Sequence, residues 1–235
     1  KANWSMGHII SMLHTTLAGE KLIPWLEQMN RGKASFADPI DNRQLYRLLD
    51  FYKANLHDNA AEMDQSEQHA AFASGEAAMM VQGLWAYQAC LSINPDLDCG
   101  FIPFPVNEKA ADTKLFADVD STFGLSATAK PENMRAAKLF LEWLATPEAV
   151  KMWVEDCKLV PTFKGADASK MEAPFQDLVG YMNAGKTNPW AFSMYPVAVF
   201  EDACKTGAQE YMLGMRSRDG VTEFIDATWK REINR

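Results

Sequence analysis

Residues Ala71–Pro105 read AFASGEAAMMVQGLWAYQACLSINPDLDCGFIPFP, and three kinds of element follow one another inside them. Ala71–Ser74 closes an apolar-rich helix, which Gly75 stops because glycine accepts the left-handed conformation a helix C-terminus favours. The short apolar run Ala77–Val81, bounded by turn residues, predicts a buried strand. Gly83 breaks it, and the chain turns helical over Leu84–Leu91. After the turn at Asn94-Pro95, Gly100–Phe104 predicts a second apolar strand, ended by Pro105. A strand that stops at a glycine and opens a helix leaves backbone N–H groups free at the helix start. It also sets a large aromatic ring, Trp85, at the strand's carboxyl end, where open α/β sheets hold their ligands. The competing reading makes Trp85 and Tyr87 ordinary core residues, as most aromatic side chains are.

Around this stretch, 235 residues with 48% hydrophobic content are enough for a full core in one or two domains. The formal net charge of −8 argues against nucleic acid or an anionic membrane surface as partner, since both demand a basic patch. Glu76, Gln82 and Gln88 interrupt the longest apolar stretch, Ala71–Leu91, so no segment reads as a bilayer span. Four cysteines (Cys90, Cys99, Cys157 and Cys204) lack C-x-x-C spacing, which speaks against zinc or thioredoxin-like chemistry. Cys90 and Cys99 flank the Asn94-Pro95 turn; they either bridge in an oxidising compartment or stay as buried thiols. Four scattered histidines form no metal-ligand pattern.

Along the rest of the chain, Ile9, Met12 and Leu13 mark one face of an N-terminal helix that has Trp4, Ser5 and His8 at its start. Leu22, Ile23, Leu26 and Met29 mark a second helix. A third is predicted from Asp38-Pro39 to about Asn55, with Asp38 as N-cap and Pro39 as first helical residue. Lys114–Val119 and Thr122–Ala127 read as strands around Asp120 and Ser121. Pro131 and Thr146-Pro147 open two further helices, and a helix pair or one kinked helix, broken by Pro174, covers Ser169–Ala184. The loop Lys186–Pro196 (KTNPWAFSMYP) is unusually aromatic; rings in such a loop either pack beneath it or stack on a ligand, so Trp190 and Tyr195 are candidates. Val197–Met215 reads as a long helix, and Asp219 caps the last one.

The motifs Phe72–Met80 (FASGEAAMM), Gly83–Tyr87 (GLWAY) and Phe101–Pro105 (FIPFP), in this order and spacing, resemble the extracellular solute-binding proteins of family 1. These are the sugar-type receptors of ABC importers, of which maltose-binding protein is the best known. A second block, Ser126–Asn133 (SATAKPEN) with Ala136–Val150 (AAKLFLEWLATPEAV), resembles the same family. The resemblance implies an α/β, type II periplasmic-binding-protein-like fold, present mainly as its C-terminal lobe with a partial N-terminal-lobe segment. Residues 1–104 and 162–235 are then expected in the C-terminal lobe, and residues 105–161 in a hinge-linked segment of the other lobe. Family members are longer and start with a secretion signal, commonly a lipoprotein one, so a C-terminal portion is the expectation.

The resemblance also implies a function. A carbohydrate is expected in an inter-lobe cleft, stacked on Trp85 and on Trp4 or Trp190, with Tyr195 nearby. In family members the first helix start contacts ligand, which adds Trp4 and His8; a packing role for the tryptophan and a bystander role for the histidine compete. Asp120, at the tip of a cleft-facing strand, is the candidate for bonding sugar hydroxyls, against an ordinary turn acid. Lobe closure would present the loaded receptor, a monomer, to ABC permease subunits outside the cytoplasm, either in the periplasm or lipid-anchored on the outer face of the cell membrane. No cofactor or metal and no catalytic residue is expected. The sequence has no G-x-S-x-G elbow, P-loop, G-x-G-x-x-G or H-E-x-x-H. The alternatives are a carbohydrate hydrolase using paired carboxylates and a binding lobe for a polyol or glycerol phosphate.

Overall fold

The computed structural model describes residues 4–60, 62–106, 109, 113–119, 122–163 and 167–235. By contact, the chain forms two compact units: one holds Lys1–Leu97, Pro103–Phe116 and Asn188–Arg235, the other Asp98–Ile102 and Ala117–Thr187.

The first unit is built on helix α1 (Trp4–Ala18). Ile9, Ile10 and Leu13 are fully buried, and so, nearly, are Ser11, His14 and Thr15 on its other faces. A helix buried all round must satisfy its polar side chains internally. Here Ser11 donates to the His8 carbonyl at 2.9 Å and Thr15 to the Ser11 carbonyl at 2.7 Å. Gly7 permits a close helix contact, since a Cβ at that position would stand 2.7 Å from Lys205 Cγ and 3.1 Å from its Cα. Helix α2 (Leu22–Asn30) buries Leu22, Trp25, Leu26 and Met29. Ile23, expected on that face, is 52% exposed; Trp25 takes its place, with the indole N–H donating to the Ser35 carbonyl at 2.8 Å.

Helix α3 (Asn42–Ala54) starts at Asp41, whose side chain accepts from the Arg43 backbone N–H. The expected cap, Asp38, instead accepts from the Ser35 N–H at 2.7 Å inside the preceding turn. That turn is an anchor. Phe36 is fully buried and stacks on His14 at 4.0 Å. Asp226 accepts from the Phe36 N–H and the Ser35 hydroxyl at 2.7 and 2.6 Å. Helix α4 (Gln65–Ala73) opens with a capping box between Asp64 and Glu67. Gly75 ends it at φ +80°, and α5 spans Trp85–Ile93.

The run Ala77–Val81 is not a strand. The Ala77 N–H folds back onto the Ala71 carbonyl at 2.9 Å, Met79 is 78% exposed, and only Val81 packs against the core. The expected strands at Gly100–Phe104 and Thr122–Ala127 are likewise irregular, and Lys114–Val119 shrinks to β1, Leu115–Phe116. Among the described residues the sheet is β1 paired with β2 (Thr187–Asn188). The fold is mostly helical because the helices of the first unit fill its core with one another, leaving no sheet face to cover.

The carboxyl-terminal segment closes this unit. A π-helical stretch, Val199–Cys204, runs into an α-helix, interrupting the long helix expected over Val197–Met215. In order of chain position, the second unit's helices are α6 (Pro131–Leu144), α7 (Pro147–Glu155) and α8 (Ala173–Asn183). The segment after the π stretch is α9 (Lys205–Met212), and the last helix is α10 (Arg218–Ile233). The cap of α10 is Ser217, accepting from the Gly220 N–H, rather than Asp219. Trp229 of α10 meets Trp25 edge-on at 5.6 Å and donates to Asn30 at 3.1 Å.

In the second unit, Pro131 and Pro147 sit in the first turns of α6 and α7, where a missing N–H costs nothing. Thr146 caps α7 by accepting from the Ala149 N–H. Val150, Val154, Phe175 and Leu178 are buried, and Phe101 meets Phe175 at 5.4 Å. All four cysteines are free thiols. No helix among the described residues is long and apolar enough to cross a membrane.

Candidate functional site

Four segments of the first unit converge on a small open pocket of about 90 Å³. Ser5, His8 and Met12 line it from α1; their spacing of three and four residues puts them on one helix face. Val81, Gln82 and Gly83 contribute the approach to α5, Trp85 its first residue, Phe116 comes from β1, and Trp190 from the aromatic loop. The space is smaller than a saccharide needs for enclosure. It offers a wall to lie against.

That wall is aromatic. Trp85 and Trp190 stand perpendicular, centroids 6.5 Å apart at 89°, and the His8 ring meets Trp190 at 6.3 Å and 69°. Trp85 is 36% exposed, a large ring at the surface beside a glycine. Gly83 makes this placement possible, because a Cβ there would fall 2.1 Å from the Trp85 ring. No aspartate, glutamate, lysine or arginine is among the described lining residues. The polar groups are the Ser5 hydroxyl, the His8 imidazole and the Gln82 amide. Gln82 donates to Gln68 at 3.0 Å, and its Oε1 has no hydrogen-bond partner among the described residues.

The structure therefore brings together three of the six residues singled out in the sequence: His8, Trp85 and Trp190. The Trp4 side chain and Asp120 lie outside the described residues. Tyr195 goes elsewhere, at 5% exposure in the core, 4.9 Å from Trp229 and 6.1 Å from Trp25. Burial first, then the neighbouring Cys204, push its phenol well above its ordinary pKa, with Thr15 opposing. The 3₁₀ turn Ala191–Met194 separates the two aromatic residues, one reaching the pocket and the other the core. Met12, Phe116 and Gln82 escaped the sequence reading. Gln82 had one usable signal, its place immediately before Gly83 and Trp85. No group of acidic, histidine or cysteine side chains fit to hold a metal occurs among the described residues.

Comparison with known proteins agrees with this architecture. A chitin oligosaccharide binding protein superposes with a TM-score of 0.83 at 20% identity, over 99% of this chain and 58% of that one. A putative binding protein, MsmE of Bacillus subtilis subsp. subtilis strain 168, in an open conformation, gives 0.65 at 17% identity, over 97% and 59%. The chain thus spans somewhat under two thirds of the length of either structure. At these identities the likeness is one of fold, and that fold is the solute-binding protein fold. Curated proteins offer no significant match. Residues 7–183, by contrast, match a defined family along most of the chain. The protein belongs to the bacterial extracellular solute-binding proteins.

Proposed function

We propose that the protein is the substrate-binding component of an ABC importer, taking a mono- or oligosaccharide against the aromatic wall and delivering it to a membrane permease. The observation that carries this reading is the pair of perpendicular tryptophans beside His8. Sugar rings have C–H faces that stack on indoles, while their hydroxyls need the few polar groups that Ser5, His8 and Gln82 supply. Family membership supports capture of a small solute, and the chitin oligosaccharide binding protein of the same fold makes an oligosaccharide the first ligand to try. The receptor would work outside the cytoplasm, in the periplasm or lipid-anchored on the outer face of the cell membrane, as a monomer. Binding without turnover fits a wall whose described lining contains no carboxylate, since glycoside hydrolysis uses two.

The test is intrinsic tryptophan fluorescence titrated with a panel of mono- and oligosaccharides, chitin oligosaccharides first. A saturable change with one sugar class, abolished by Trp85→Ala and without product in the recovered sugar, is the expected result. A response that persists in Trp85→Ala, or released product, would refute the reading.

A further inference from the structure

Behind Trp190 the rings continue. Phe192 stacks on it at 5.5 Å and 28°, and Phe200 stacks on Phe192 at 4.4 Å and 25°. His8 wedges edge-on against both phenylalanines, at 4.5 and 5.1 Å. At the foot of this column the Lys205 ammonium lies 5.1 Å from the Phe200 centroid, held there by Glu201 at 2.6 Å, a cation–π arrangement. Phe200 is supplied by the π-helical stretch Val199–Cys204. Such stretches are uncommon and frequently lie at functional sites.

We infer that Phe192 and Phe200 are positioning residues for the ligand wall, acting through Trp190, and that the π stretch serves to bring Phe200 beneath Phe192. The inference rests on the reading of the pocket as a binding wall. A stacking platform that moves freely pays ordering entropy whenever a ligand arrives; a ring held from behind by Phe192, itself backed by Phe200, has already met that cost. The column also explains why His8 faces both the pocket and the phenylalanines: one residue bounds the site and braces its support.

The test uses the full chain labelled with 5-fluorotryptophan, with the Trp190 ¹⁹F resonance identified by its loss in Trp190→Phe. The readout is line width, because removing a ring changes chemical shift even where nothing moves. Phe192→Leu and Phe200→Leu retain apolar volume and remove the stacked face. Both should broaden or split the Trp190 line, leave those of Trp25 and Trp229 sharp, and weaken saccharide binding about two- to tenfold. Phe192→Tyr keeps the ring and should restore both. A sharp Trp190 line in either leucine variant overturns the inference, as does a line broadened equally by Phe192→Tyr. Should a leucine variant unfold and broaden every line, the tyrosine variant alone decides, by a sharp or a broadened Trp190. If no saccharide binds the unmodified protein, the proposed function fails while the line widths still decide this point.

Discussion

His14 should make the first unit sensitive to acid, by an amount the structure sets. The ring is fully buried, stacked on Phe36 and 4.6 Å from Trp25. Its Nε2 lies 2.7 Å from the Phe36 carbonyl, so it is the nitrogen that carries the proton and donates. Nδ1 has no partner among the described residues, and a second proton there would be a charge in an apolar site. Burial accordingly lowers the pKa from 6.5 to about 4, only partly offset by the bond to Phe36. The sign follows directly: below pH 6.5 the unfolded chain takes up a proton that the folded chain refuses. Stability is complete above about pH 6.5 and falls as the pH drops to about 4. At about 1.4 kcal/mol per pH unit, that interval removes about 3 kcal/mol. His14→Gln is the control, since its amide keeps a donor for Phe36 but does not titrate. Urea unfolding at pH 7.5 and pH 4 should show the unmodified protein losing about 3 kcal/mol more than the variant. Parallel losses in the two proteins would refute the buried, neutral histidine.

Three further substitutions test the packing. Gly7→Ala sets a methyl against the backbone of Lys205 and should cost about 1–3 kcal/mol in denaturant unfolding; no loss would mean that the two helices separate freely. Gly83→Ala collides with the Trp85 ring, so the fold should survive while saccharide affinity drops roughly tenfold or more, measured by titration beside a melting curve. Asp226→Ala strips the Phe36 N–H and the Ser35 hydroxyl of their acceptor. It should lower stability by about 2 kcal/mol and speed hydrogen exchange at the Phe36 amide, while exchange in α6 stays unchanged.

The helices were legible because their signals are local. Thr146-Pro147 and Pro131 declare themselves within a few residues, and the structure has α7 and α6 there. Cap positions were less so: Asp38 and Asp41 both satisfy the chemistry of a helix start, and only the buried Phe36 turn decides between them. The strands failed for a different reason. An apolar run such as Ala77–Val81 carries no period, and whether it becomes a strand depends on partners far away in sequence. In the pocket, Trp85 and Trp190 stood out because large rings beside glycine or proline need an explanation, and His8 only through the family resemblance of the first helix start. Tyr195 stood out equally, but its side of the loop depends on a 3₁₀ turn that composition does not announce. Gln82 gave no signal by type, since glutamine is common at any surface.

The contact between α1 and α9, and that between α2 and α10, also set a timetable. Asn30 and Trp229 are 199 positions apart, and Phe36 is tied to Asp226 across 190. At a synthesis rate of about 5–20 residues per second, α2 and the Phe36 turn wait roughly 10–40 s for the helix that covers them. During that wait Ile9, Ile10 and Leu13 have no finished core to enter, and the loops that must then close are long. Until α9 and α10 have been made, the apolar faces of α1 and α2 that they cover stay open, and a core begun on one side of the chain is sealed from the other.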